Sequence, residues 1–299
     1  MGLRFVEDRR TLVCAGLLLP LAPVLALWRP SLLAWLVPLL LYASYLSGVL
    51  SHNHNHCPVF VSRRANLAYG AWLSFFYGFP SFAWIPGHNQ NHHRHLNGPG
   101  DVSSTALHAE RDTWLALLTY PLACSRRQLP LVWAYARTAL VRRSPQAARV
   151  RLETFVLIAG HGLACATAIA LHGSRQGALV YVIAIGLPAL LANYWMMLTN
   201  YLQHVGCDSR SRDAHSRNFV SPFFNWFVFD NGFHSVHHEH PGLHWSRYRA
   251  LHRLNQTRID PRHSHGFIIS FALRRYVLGE RPAAAADARE SSHASLESA

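Results

Sequence analysis

Residues 31–57 read SLLAWLVPLLLYASYLSGVLSHNHNHC: an uncharged, apolar run that ends in three histidines alternating with two asparagines. About 20 apolar residues is what a helix needs to cross a hydrocarbon core, so 31–50 predicts a membrane span. Imidazoles at the mouth of such a span are either a local His-rich tract or one corner of a metal site at a membrane surface. If the helix continues past Ser51, each residue turns it by about 100°. His52 and His56 then share a face, and His54 points away from it. An extended strand would instead place all three on one face.

Three further runs have span length and composition. Residues 11–28 (TLVCAGLLLPLAPVLALW) precede the first, separated from it by Arg29-Pro30. The apolar core of 11–28 is too long, and followed too soon by a second span, for a cleaved signal peptide. Residues 154–172 (TFVLIAGHGLACATAIALH) and 177–200 (GALVYVIAIGLPALLANYWMMLTN) form a second pair, joined by GSRQ. Two hairpins put both chain ends on one side.

The positive-inside rule fixes that side. Arg4, Arg9 and Arg10 precede the first pair, and Arg63, Arg64, Arg126, Arg127, Arg142, Arg143, Arg149 and Arg151 lie between the pairs. The outer turns hold only Arg29 and Arg175. The expected architecture is an all-α integral membrane protein: four transmembrane helices in two hairpins, with a cytoplasmic helical cap. Both termini are expected in the cytoplasm, and the membrane is expected to be the inner or plasma membrane. Residues 66–86 (NLAYGAWLSFFYGFPSFAWIP) are aromatic but broken at Gly78-Phe79-Pro80. A fifth span there would reverse everything downstream, so an interfacial or re-entrant segment is expected. Residues 112–123 and 265–278 read as amphipathic surface pieces, and 283–299 as a disordered polar tail. Residues 1–282 form one domain.

Only 14% of the chain is charged, and the net charge is +13. The 28 basic residues are all arginine. They flank apolar runs and accompany no nucleic-acid motif, so membrane orientation explains them without a nucleic-acid partner. Cys14, Cys57, Cys124, Cys165 and Cys207 are scattered and form no CxxC pair, which excludes a disulfide framework and a thiolate metal motif.

Histidine is the anomaly, with 21 copies in clusters. Beyond His52 and His56 come GHNQNHHRHLN (residues 87–97), NYLQHVG around His204, and NGFHSVHHEHPGLHW (residues 231–245). On the expected topology all of these lie on the cytoplasmic side at similar depth. His52 and His56 are i, i+4, as are His88 and His92, with His93 adjacent; His234, His237 and His238 are i, i+3, i+4. On a helix such pairs share a face, where two imidazoles can reach one cation at about 2.0–2.1 Å. Imidazole suits iron, zinc, copper or nickel. The count, nine with His204, exceeds the needs of one metal and suits two with open positions.

These boxes, HxxxH, HxxxHH and HxxHH separated by paired spans, resemble those of the integral-membrane fatty-acid desaturase and hydroxylase family. GHNQNHH, LQH and HSVHHEHP are similar to it in wording as well as spacing, over roughly residues 30 to 255. The resemblance implies a non-haem di-iron centre, two Fe, held by His52, His56, His88, His92, His93, His204, His234, His237 and His238. Asn200, one turn before His204, resembles a family position that contacts iron through water. His54, His95, His240 and His244 lie off the pattern and are expected to hydrogen-bond or be solvated. His161, inside a span, is expected to pack as a neutral ring between helices. Asp101, Asp230 and Glu239 are candidates to orient ligand imidazoles.

The implied activity is oxygen-dependent oxidation of an unactivated C–H bond. The first expectation is a fatty acid desaturase that introduces a double bond into an acyl chain. The alternative is a hydroxylase or ketolase of an alkane, fatty acid or carotenoid, and a third is a non-catalytic metal-binding membrane protein. The chain carries no flavin, nicotinamide or iron–sulfur motif, so a separate donor, ferredoxin or a cytochrome, is expected to supply electrons. The arginines of 126–151 offer it an acceptor surface, or else bind anionic lipid.

Overall fold

The computed structural model describes residues 2–280, apart from residues 110 and 212; the tail expected at 283–299 lies outside the described residues. In chain order come α1 (Asp8–Trp28) and α2 (Pro30–His56), then α3 (Arg63–Tyr77) and α4 (Trp114–Val141), then α5 (Ala147–His172) and α6 (Ser174–His204). Four of these, α1, α2, α5 and α6, are long and apolar enough to cross a membrane. They coincide with the four expected spans, but α2 and α6 run further, to end on His56 and His204. Their outer faces expose Leu17, Trp35, Phe155, Leu163 and Leu190. In water such a surface would promote association; against lipid it costs nothing. The protein is an integral membrane protein.

Prolines shape these helices. Single π-helical turns at Cys14–Leu18 and Val182–Gly186 end just before Leu19-Pro20 and Leu187-Pro188. A proline has no N–H for the regular ladder. Widening one turn lets the Leu19 and Leu187 N–H groups reach the Cys14 and Val182 carbonyls instead. α5 and α6 approach closely where a Cβ on Gly177 would lie 2.3 Å from the Ala168 carbonyl oxygen. At that same end His172 Nε2–H donates to the Leu27 carbonyl (2.7 Å), which ties the two helix pairs together.

The first part of the broken segment 66–86 belongs to α3, a helix of 15 residues that begins at Arg63. The Ser62 hydroxyl accepts from the Ala65 N–H at its start, a cap worth about 1 kcal/mol. It stops at Gly78, whose φ of 70° is left-handed. A side chain there would also strike the Ala189 carbonyl, 2.4 Å from an ideal Cβ. His161 sits between α3, α5 and α6 with both ring nitrogens partnered, Nδ1 by the Tyr181 hydroxyl and Nε2 by the Phe75 carbonyl, both at 2.9 Å.

The surface piece expected at 112–123 belongs to a longer helix. α4 passes through Pro121 and Pro130 to Val141. An interior proline costs a helix about 3 kcal/mol, here offset by packing: Leu117, Tyr120, Pro121 and Cys124 form one buried face, while Leu118, Leu122 and Trp133 face outward. After α6 come β1 (Asn218–Phe219), α7 (Pro222–Phe227), α8 (His234–Glu239), α9 (Tyr248–Asn255), β2 (Ser264–His265) and α10 (Ile268–Tyr276). β1 and β2 pair in parallel, Asn218 with Ser264 and Phe219 with His265. That two-residue ladder is a small departure from the all-helical expectation.

Candidate metal centre

The nine box histidines converge on one place and divide into two groups. His52, His56, His88 and His237 bring their ring nitrogens together in the first. His93 joins them, its Nε2 lying 3.1 Å from that of His88 and 3.0 Å from that of His237. His52 Nε2 lies 2.9 Å from His88 Nε2 and 3.1 Å from His237 Nε2. The second group is His92, His204, His234 and His238. Within it the Nε2 atoms of His204, His234 and His238 are 2.9–3.1 Å apart.

The backbone explains the sorting. α2 stays helical to His56, so His52 and His56 share a face and His54 does not. His54 instead approaches the Asn66 carbonyl (3.2 Å) and packs edge-on to Tyr69. The second box breaks the i, i+4 expectation. Ile85–His92 is π-helical, and in that ladder a residue pairs with its fifth neighbour. His88 therefore shares the first group with His93, while His92 turns into the second. In α8 the regular spacing returns: His234 and His238 enter one group, and His237, off that line, enters the other.

Several rings are fixed from behind. His92 Nδ1–H donates to Asp101 Oδ2 at 2.7 Å, with both residues almost fully buried. Asp101 also accepts from the Asn97 N–H (2.8 Å) and the Ser103 hydroxyl (2.6 Å). Burial pushes the Asp101 carboxyl upward, but His92 and the Ser103 donors prevail and hold it well below the usual carboxylate range. His204 Nδ1–H donates to the His215 carbonyl (3.3 Å), His52 Nδ1–H to Asn53 Oδ1 (3.1 Å), and His237 Nδ1 meets the Tyr248 hydroxyl (3.0 Å). A proton held on Nδ1 leaves the Nε2 lone pair free to bind a metal.

Asn200 borders a small cavity with His52, His88 and His234. Its amide donates to the Tyr120 hydroxyl (2.7 Å), which in turn donates to the Ser103 carbonyl. α4 thereby links Asn200 to the Asp101–His92 pair.

The donor set fits metal ions. Ligands at right angles around a cation about 2.0–2.1 Å away lie about 2.9 Å from each other, close to the spacings of both groups. Hydrogen bonds alone leave the groups unsatisfied: three mutually adjacent Nε2 atoms have too few protons to pair, and the buried Nε2 atoms of His56 and His92 have no partner among the described residues. Five of the rings resist protonation. Burial, reinforced by the facing imidazoles, holds His88, His234, His237 and His238 well below the ordinary histidine range, and His93 down to about 2.

The remaining candidates play other parts. Asp230 pairs with Arg249 (2.8 Å) and Glu239 with Arg258 (2.5 Å), whereas Asp101 supports a box imidazole. His244 is buried against Asp8 (3.2 Å) and stacked on Phe5. His240 is largely exposed, and His95 stands in neither group. Ser103, Tyr120 and Tyr248 have no signal in the sequence, because each reaches the site from a separate element.

Two adjoining all-histidine groups that could each hold a metal ion, built at the ends of α2 and α6 with the π turn and α8, mark a membrane protein of the histidine-cluster class. The profile of the fatty acid desaturase family matches residues 26–269, a stretch that contains all nine histidines. The chain belongs to the fatty acid desaturase family. Comparison with curated proteins returns no match.

Proposed function

We infer that the protein is a membrane di-iron oxidoreductase that introduces double bonds into acyl chains. The reading rests on one observation above the rest: nine imidazoles gathered as five and four, with no carboxylate in either group among the described residues. His52, His56, His88, His93 and His237 would hold one iron, and His92, His204, His234 and His238 the other, with Asn200 near the second. Bound there, the iron pair supplies dioxygen activation and removal of hydrogen from an unactivated C–H bond. The chain's own residues hold the imidazoles aimed, through Asp101, Ser103, Asn53 and Tyr248. Dioxygen is reduced to water with electrons from the substrate and from a separate ferredoxin or cytochrome.

In this reading residues 1–282 are one domain, with two antiparallel hairpins and the histidines in a cytoplasmic cap at the inner or plasma membrane. The arginine asymmetry supports that orientation, as does the His172–Leu27 tie, which gathers the arginine-poor turns at the end of the spans away from His56 and His204. With the native cysteines replaced, a thiol probe should reach Ser174→Cys from outside intact cells and fail to reach Gln146→Cys. The reverse pattern overturns the orientation.

Activity is tested by expression in a host of simple lipid composition and mass spectrometry of its total fatty acids. New double bonds are expected. Hydroxylated or oxo products without new double bonds would make the protein a hydroxylase or ketolase instead.

A further inference from the structure

A groove of about 870 Å³ opens on the flank of the bundle between α2, α6, α7 and α10, a volume ordinary for an enclosed ligand site. Its wall is almost wholly apolar and includes Leu41, Leu198, Phe224, Ile269 and Ala272. Leu41 and Leu198 belong to membrane-length helices, so the groove faces the bilayer. A second cavity, of about 30 Å³, lies against His52, His88 and His234. The two cavities share two wall residues, Tyr45 and Thr199. The hydroxyls of this pair are 3.1 Å apart, so the pair stands as a barrier between the two cavities. Tyr45 precedes His52 on α2 by seven residues, about 10 Å along the axis. A third groove, of about 460 Å³ and less apolar than the first, lies beside the second box with Gln90, Arg94 and His95 in its wall. It shares no wall residue with the cavity at the histidines.

The geometry points to lateral entry: an acyl chain still attached to a membrane lipid passes from the bilayer through the apolar groove and between Tyr45 and Thr199 to the histidines. The inference rests on the oxidative reading above and adds the form in which the substrate arrives. A water-borne thioester, with a charged carrier, would favour the groove that carries Arg94, and that groove shares no wall residue with the histidine cavity. Thr199 Oγ1 also lies 3.0 Å from the Trp195 carbonyl, so its hydroxyl keeps an acceptor when Tyr45 swings away.

The test uses the full-length protein in nanodiscs of phosphatidylcholine bearing a diazirine near the end of one acyl chain. After photolysis, adducts are mapped by mass spectrometry. Adducts are expected at Val49 or Met196, which line the inner cavity beyond the barrier. Ala272→Trp fills the groove and should cut these inner adducts about tenfold, the scale on which a misfilled apolar site discriminates. Adducts at outward-facing Phe155 should be unchanged. Tyr45→Phe removes the hydroxyl pairing but keeps the ring, and should raise the inner adducts, which guards against misfolding of the tryptophan variant. Inner adducts unchanged by both substitutions, or formed only from a soluble diazirine acyl thioester, overturn lateral entry. Labelling requires neither iron nor turnover, so the two readings fail separately. A protein that labels Val49 from lipid yet oxidises no chain keeps the entry route and loses the proposed function.

Discussion

The first histidine group draws its five rings from α2, the π turn and α8, and two of them, His56 and His93, retain some exposure. The second draws four from the π turn, α6 and α8, all buried, with the Asp101 carboxylate set behind His92. One group is held by packing and neutral hydrogen bonds, the other also by a buried anion. The difference teaches that the two metals would not be equivalent. On the proposed function the more open group would be the one nearer an electron donor, and the buried one is electrostatically anchored.

The largest effects come from deleting one ligand of each group. His237→Ala and His92→Ala should each abolish product, by more than the roughly 10–100-fold that loss of a ligand's hydrogen-bonded support costs. They should differ in stability. His92→Ala takes one hydrogen-bond donor from the buried Asp101 carboxylate, a change that costs about 1.5–3 kcal/mol. Melting of the two purified variants measures this, and equal melting temperatures would remove the proposed asymmetry. Next comes Asp101→Asn, which keeps shape but loses the anion. Iron retention should fall about 10–100-fold, more than for Tyr248→Phe behind the first group, as read by competition with a chelator.

The pH response is smaller and general. An unfolded histidine titrates near 6.5, whereas burial holds His88, His93, His234, His237 and His238 below that in the fold. Below pH about 6.5 the unfolded chain therefore binds protons that the metal-free fold refuses. Stability is full above that pH and falls as pH drops toward the folded values, by about 1.4 kcal/mol per unit for each such group. The melting temperature of metal-free protein should decline from pH 7 to pH 5, and a flat profile would contradict the burial argument. The smallest effect is His54→Ala. With its ring turned toward Asn66 and Tyr69, iron and product should stay near wild type, with about 1 kcal/mol of stability lost. Loss of iron equal to that in His56→Ala would mean that α2 does not present a helical pair.

Much of this was legible from residues alone. Leucine-rich runs without charge have few alternatives to spanning a bilayer, and the rotation of a helix already separated His54 from His52 and His56. The second box was not legible in the same way. GHNQNHH reads as i, i+4 by default, and only the wider turn pairs His88 with His93 and sends His92 elsewhere. Pro86, next to Ile85, marks where that turn begins, but proline alone does not say whether a helix kinks, stops or widens. α4 was hidden for a related reason: Pro121 and Pro130 suggest breaks that tertiary packing overrides. Among Asp101, Asp230 and Glu239 the choice depended on which arginines lie nearby in space, and no local pattern records that.

Metal analysis of the purified wild-type protein, with Mössbauer spectroscopy of iron-57-loaded samples, tests the central claim most directly. The account predicts about two irons per chain, with two ligand environments that reflect the five- and four-histidine groups, and His92→Ala changing one environment before the other. A single metal per chain, or zinc filling both groups to the exclusion of iron, would contradict it.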